Sequence, residues 1–310
     1  MALQVNGKSA LVTGAGSGIC LAFTKLLLSK GCNVLIADLN LIPEAENLIS
    51  SFEKGGENER KLEEEGEGGG VKVKKARVVF KRTDVTDWVQ LQAAFDECMS
   101  AFGSLDIVCP GAGTFEPTWS NFWHLKDTVD KIDTNSYKTL EINITHPIRA
   151  TQLAIDYFKR QKHGHGVVVL ISSIAAQAAV FPVPLYAASK AAISSFTRSL
   201  RPLEPAINIR VNAVAPGIVK TPLWTEDKIA WTQENDEWVT AEEVANVMLQ
   251  LVEEEQFSGG TVLEVGKGVV RRVELLNDPG PDMEAKGFRT SAVRQAVGDV
   301  FGLIENEFGK

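Results

Sequence analysis

The chain has no surplus of positive charge: 32 Lys and Arg face 40 Asp and Glu, for a formal net charge of -8. It therefore lacks the clustered cations that nucleic acid or an anionic membrane surface attracts, and neither is an expected partner. No apolar run approaches the ~18 residues of a membrane span, so no membrane insertion is expected. Residues 1–10, MALQVNGKSA, have neither the charged start nor the apolar stretch of a secretory signal, and the expected location is cytoplasmic. Cysteine is scarce. Cys20, Cys32, Cys98 and Cys109 show no C-x-x-C spacing and lie in or beside apolar runs, which favours reduced, buried thiols over disulfides or a metal cluster. Histidine is equally rare. His163 and His165 in KHGHGVVVL could suggest a ligand pair, but glycines alternate with them before an apolar strand and no Cys or carboxylate cluster completes a site. The expectation there is a turn, and no metal.

What is present is an ordinary globular composition, 44% hydrophobic and 23% charged over 310 residues. Short β-rich runs such as SALVTGA, NVLIADL, LDIVCPGAG, GVVVLISSI and INIRVNAVAPG alternate with longer helical patterns. That alternation specifies an α/β fold: a Rossmann-type, doubly wound parallel sheet of about seven strands between two helical layers. The strands read as nearly continuous Val, Ile and Leu, as strands buried on both faces do. One domain is expected over 1–277. Within it, 53–75 is acidic, Gly-rich and almost free of apolar residues, which suits a flexible insertion. The tail, 278–310, breaks at Pro279 and Pro281 and then places Val293, Val297, Val300, Phe301, Ile304 and Phe308 at helical spacing, an amphipathic helix.

In LVTGAGSGIC, Gly14, Gly16 and Gly18 lie between a strand and a helix starting near Ile19. A turn without Cβ atoms lets a pyrophosphate approach, and the helix N-terminus offers it free N–H groups. Asp38 follows at the end of the second strand, where a carboxylate can bond the adenosine ribose hydroxyls. The same charge repels a 2′-phosphate, and neither Ser17 nor Leu39 supplies a cation to hold one. NAD(H) is thus favoured over NADP(H).

In LYAASKAAISSF, Tyr186 and Lys190 stack one turn apart on a small-residue helix. A free phenol is a poor base at neutral pH, and a neighbouring ammonium lowers its pKa toward use as a general acid/base. Ser173 ends the preceding buried strand, where strand termini of this architecture face the ligand crevice.

These motifs together resemble the short-chain dehydrogenase/reductase family over residues 5 to about 270, and most resemble its NAD-dependent 15-hydroxyprostaglandin dehydrogenase-like subgroup. The family's T-G-x-x-x-G-x-G matches Thr13, Gly14 and Gly18, with Cys20 in the place of the last glycine. Its Asp-Val after the third strand matches Asp84 and Val85, which implies an adenine contact. Its catalytic Asn, Ser, Tyr and Lys match Asn143, Ser173, Tyr186 and Lys190. RVNAVAPGIVKTPL matches the stretch after the sixth strand, so Pro216, Gly217, Ile218 and Thr221 are implied neighbours of the nicotinamide. Ser17, Ile19, Gly111 and Ala112 join the expected cofactor contacts. Where the family has N-N-A-G after the fourth strand, this chain has Pro110-Gly111-Ala112-Gly113, without the Asn that supports the sheet in relatives.

The resemblance implies an enzyme that interconverts a secondary alcohol and its ketone. Tyr186 exchanges the proton, Lys190 keeps it acidic and bonds the nicotinamide ribose, Ser173 holds the substrate oxygen, and Asn143 positions a water. A homodimer or homotetramer is implied by the family alone. Segment 221–240 corresponds to the substrate lid and carries Trp224, Trp231 and Trp238; Phe115, Trp119, Phe122 and Trp123 follow the fourth strand. Large rings beside a crevice suggest a hydrophobic substrate, with Phe115, Ser173, Tyr186 and Trp224 as its expected contacts. A second reading, a cofactor-binding family member with a non-redox role as sensor, scaffold or other catalyst, rests on the altered 110–113 motif and Cys20.

Overall fold

The computed structural model describes residues 3–58, 75–124 and 128–274, together with Gly302 and Glu305. Strands β1 (Ser9–Thr13), β2 (Asn33–Asp38), β3 (Val78–Arg82), β4 (Ile107–Pro110), β5 (Gly166–Ile171), β6 (Ile209–Pro216), β7 (Val262–Gly266) and β8 (Val269–Arg272) form one sheet in the order β3-β2-β1-β4-β5-β6-β7-β8. The order reverses between β1 and β4. Crossovers leave to opposite sides there, and a crevice opens beyond the carboxyl ends of the strands.

β1 and β6 are buried along their whole length, as strands covered on both faces must be. Alternate residues supply the two halves of the core. Ala10, Val12, Val34 and Ile36 pack toward helices α1 (Gly18–Ser29) and α9 (Ala241–Glu253). Leu11, Leu35 and Ala37 face α3 (Trp88–Phe102), α5 (His146–Arg160) and α6 (Pro184–Ser199). Helix ends follow local chemistry. Asp87 caps α3 by accepting from the Val89 and Gln90 amides, and left-handed Gly103 closes it. Thr240 and Glu243 form a reciprocal capping box on α9.

The sheet has eight strands where the periodicity counts about seven, and the eighth is antiparallel, turning back on β7. All four residues of β8 are exposed, so no buried apolar run marks it in the sequence. Helix α2 (Pro43–Asn58) runs into the stretch expected as a flexible insertion at 53–75; the remainder of that stretch, 59–74, lies outside the described residues. The amphipathic stripe expected in 278–310 lies outside them too; of the tail, the Glu305 carboxylate meets the Lys159 ammonium of α5 at 2.9 Å. All four cysteines are free and buried. Among the described residues no helix is long and apolar enough to cross a membrane.

Candidate active site

The glycine turn after β1 is dictated by crowding. Gly14 has a φ of +72°, and a Cβ there would lie 2.6 Å from the Ala112 Cα, so backbone meets backbone across the β1–β4 crevice. Ser17 stands at the N-cap of α1 in an extended conformation without bonding the helix through its side chain, which leaves the first amides of α1 available to an anion. Asp38 ends β2, and one of its carboxylate oxygens accepts the Gly16 N–H at 2.8 Å. The Asp84 carboxylate accepts the Thr86 amide and hydroxyl at 2.9 and 2.7 Å. Burial works against that charge, but the Thr86 bonds and the Lys138 ammonium hold the carboxyl below its ordinary range.

Gly14, Ser17, Gly18, Asp38 and Asp84 line one cleft of about 1000 Å³, together with Ile19, Val85, Gly111, Ala112, Pro216, Gly217, Ile218 and Thr221. The cleft is large enough for a dinucleotide, and the Cβ-free turn, the open helix terminus and the carboxylate at the end of β2 fit one.

Ser173, Tyr186 and Lys190 line the same cleft. Ser173 follows β5, and its hydroxyl accepts the Ala175 amide at 3.2 Å and reaches the Pro216 carbonyl at 3.5 Å. Tyr186 and Lys190 share a face of α6, with the ammonium 5.4 Å from the phenol ring centroid and donating to the Ile171 carbonyl at 2.9 Å. The protonation balance differs from the sequence expectation. Burial pushes the Tyr186 phenol up, with the nearby Ser173 side chain pulling the other way, and burial drives Lys190 down to about 8. Desolvation dominates both shifts because both groups are shielded from water.

Asn143 occupies a turn of wider π-helix, Glu141–Thr145, at the start of α5. It is buried beside Thr114, which lines the cleft. Its side chain pairs with the Thr114 backbone in both directions at 2.9 Å and donates to the Ser189 hydroxyl at 3.2 Å. The asparagine thereby ties the loop after β4 to the helix that carries Tyr186.

Several supporting groups escape sequence reasoning because their partners are remote. Glu116 is buried at a φ of +47°, and its carboxylate accepts the Tyr186 amide at 2.8 Å and the Phe122 amide at 3.1 Å. Burial raises its pKa against those bonds. Lys228, on the short helix α8 (Glu226–Ile229), donates to the Glu116 carbonyl at 3.0 Å and lies against the Phe115 and Trp231 rings. Buried His146 also had no local signal. Its Nδ1 faces the Ile142 carbonyl, which can only accept, so Nε2 accepts the Thr13 hydroxyl at 3.1 Å. Thr13 in turn accepts the Ala112 amide at 3.2 Å. This chain braces the end of β4 where the Pro110-Gly111 pair brings no asparagine.

The aromatic residues divide into two groups. The Phe115 ring stands edge-on to Tyr186 at 4.7 Å and 5.3 Å from Trp224, and all three line the cleft. Trp119 also lines it. Trp238 packs on Trp224 at 5.1 Å, while Phe122 and Trp123 gather with Phe181 outside the cleft. Segment 221–240 is tied back at its end, where the Val239 amide bonds the Ile218 carbonyl at 2.9 Å.

Comparison with known proteins agrees with this arrangement. Residues 8–230 match the short chain dehydrogenase family. The 15-hydroxyprostaglandin dehydrogenase (NAD(+)) of Rattus norvegicus is 31% identical over 286 residues, covering 86% of this chain and 94% of that protein. Its Homo sapiens counterpart is 35% identical over 225 residues, 71% of each chain. A Burkholderia cenocepacia short chain dehydrogenase solved in complex with NADP superposes with a TM-score of 0.66 at 29% identity, covering 85% of this chain and 98% of its own. The chain belongs to the short-chain dehydrogenase/reductase family, on its 15-hydroxyprostaglandin dehydrogenase-like side, and is an oxidoreductase acting on CH–OH groups with NAD(P).

Proposed function

We propose that this enzyme interconverts a bulky hydrophobic secondary alcohol and its ketone with NAD(H), using Tyr186 as the general acid/base. The observation that carries the reading is that the Tyr186 phenol, flanked by the Phe115 ring and by the Lys190 ammonium, lines the same cleft as Ser173. Bound nicotinamide supplies the hydride acceptor or donor. A substrate oxygen placed between the two hydroxyls receives a hydrogen bond from Ser173 as it changes from alcohol to carbonyl. In oxidation Tyr186 takes the alcohol proton, and in reduction its neutral phenol returns one, the form that burial favours. Lys190 lies close enough to stabilise the phenolate when it forms. Phe115 and Trp224 offer an apolar wall for the body of the substrate.

Asp38 supports NAD(H) over NADP(H), and the rat and human relatives bear NAD(+) in their names. The same proposal places the enzyme in the cytoplasm as a homodimer or homotetramer, the latter measurable by sedimentation. The decisive test titrates NAD(H) and NADP(H), then follows reduced-nicotinamide absorbance over a panel of hydrophobic alcohols and ketones with wild type and Tyr186→Phe. Turnover abolished in Tyr186→Phe with NAD(H) binding retained is the expected result. Turnover that survives the substitution would sink the assignment of the acid/base, and binding of NAD(H) with no turnover across the panel would favour a non-redox role.

A further inference from the structure

The opposite end of the sheet carries a second cluster. The parallel strands β1, β4 and β5 begin there, away from the carboxyl ends that frame the cleft. Asp106 immediately precedes β4, and His165 immediately precedes β5. The fold brings the Asp106 carboxylate to the two histidines of KHGHG, the ligand type that stretch lacks. Asp106 Oδ1 lies 3.7 Å from His163 Nε2 and 3.8 Å from His165 Nε2, and one ligand atom from each residue falls within 4.8 Å of the others.

We propose that Asp106, His163 and His165 form a three-ligand site for a divalent transition-metal ion of the zinc class. Zinc holds nitrogen and carboxylate oxygen at about 2.0–2.2 Å, which puts tetrahedral ligands roughly 3.3 Å apart. The two imidazoles are partly exposed, at 30% and 19%, and rotation of their rings closes the remaining distance. Asp106 is 2% exposed and already aimed: its Oδ2 accepts the Ser9 amide at 3.0 Å and the Ser104 hydroxyl at 3.3 Å, which turns Oδ1 toward the histidines. His165 Nε2 is shielded from solvent and has no hydrogen-bond partner among the described residues, a group that a metal would satisfy. Two imidazoles with one carboxylate suit zinc, cobalt or nickel, whereas magnesium and calcium want oxygen alone.

Two contacts compete with the ion. The Lys8 ammonium lies 3.3 Å from Asp106 Oδ1 and would swing into solvent. His163 Nε2 would leave Gln161 Oε1, at 3.2 Å, but Gln161 keeps the Leu105 amide at 2.9 Å. His163 also carries its proton on Nδ1 when Nε2 binds, which releases the 3.4 Å contact with the His165 amide. Binding is therefore weaker than at a closed four-ligand site. Its effect is to clip together the starts of β4 and β5.

The test is calorimetric titration of zinc chloride into the EDTA-treated full chain at neutral pH. One equivalent is expected to bind. His163→Gln and His165→Gln should each weaken it by about tenfold or more. Lys8→Met, which removes the competing cation and leaves every ligand, should tighten it. Excess zinc should raise the thermal midpoint of wild type and not of the histidine variants, whose folding is checked by circular dichroism. Absence of submillimolar zinc binding by wild type, or unchanged affinity in both histidine variants, would overturn the site; unchanged affinity in Lys8→Met would overturn the competition.

Discussion

The Sγ of Cys20 occupies the space in which a side chain on residue 111 would begin: a Cβ added to Gly111 would lie 2.2 Å from it. Both positions depart from the family pattern, and the structure makes the departures one steric exchange. Cys20 fits between α1 and β4 because Gly111 has no side chain. The two changes leave the cleft intact, which weakens the main argument for a non-redox role.

Gly111 does not need the left-handed region, so its substitution tests space rather than backbone strain. Gly111→Ala should cost about 1–3 kcal/mol through overpacking. Cys20→Gly in the same chain should recover part of the loss, with the Ile171 side chain 3.0 Å from the new Cβ keeping recovery incomplete. Chemical denaturation of the two single variants and the double variant gives the coupling, expected at about 1 kcal/mol or more. Strict additivity would mean that the two sites do not exchange volume.

Glu116 is a positioning residue for Tyr186. Glu116→Ala leaves the buried Tyr186 amide without its acceptor, a loss of about 1–3 kcal/mol, and frees the half-exposed Phe122 amide to bond water. The first turn of α6 should loosen. We expect kcat to fall by about tenfold or more while NAD(H) affinity, measured by fluorescence titration, stays near wild type. Glu116→Gln, which can still accept through one oxygen, should restore part of kcat.

Asp38 is expected to set the cofactor preference. Replacing it with Ser while changing Leu39 to Arg removes the charge that opposes a 2′-phosphate and supplies a cation beside it. NAD(H) should bind about tenfold more weakly and NADP(H) more tightly, read as the ratio of kcat/KM for the two cofactors. An unchanged ratio would assign the preference elsewhere.

His146 makes stability depend on acid pH. Burial drives its imidazole from 6.5 down to about 4, against the Ile142 bond. Between those values the unfolded chain takes a proton that the folded protein refuses, so stability contributed by the neutral ring is full above pH 6.5 and is lost as pH falls toward 4. The loss spans about 3 kcal/mol across that window. His146→Gln should flatten this part of the profile, measured as the denaturation free energy at successive pH values, and lower stability at neutral pH because the Thr13 brace is disturbed.

The sequence by itself determined what depends on neighbours along the chain. The glycine turn, Asp38 at the end of β2, and Tyr186 one helical turn from Lys190 are local patterns whose geometry follows from strand and helix periods. The alternation of strands and helices likewise carried the doubly wound sheet, except for β8, whose exposed residues leave no burial pattern to read. The tertiary structure decided whatever joins distant segments. It set Glu116 on the amide of Tyr186 across 70 positions, His146 on Thr13 across 133, and Asp106 beside His163 and His165. It separated Phe115 and Trp119 in the cleft from Phe122 and Trp123 outside it, and its burial of Tyr186 and Lys190 reversed the shift that their spacing alone suggests. Spacing along the chain carries no measure of desolvation or of contact between elements, and both arise only when the layers close on one another.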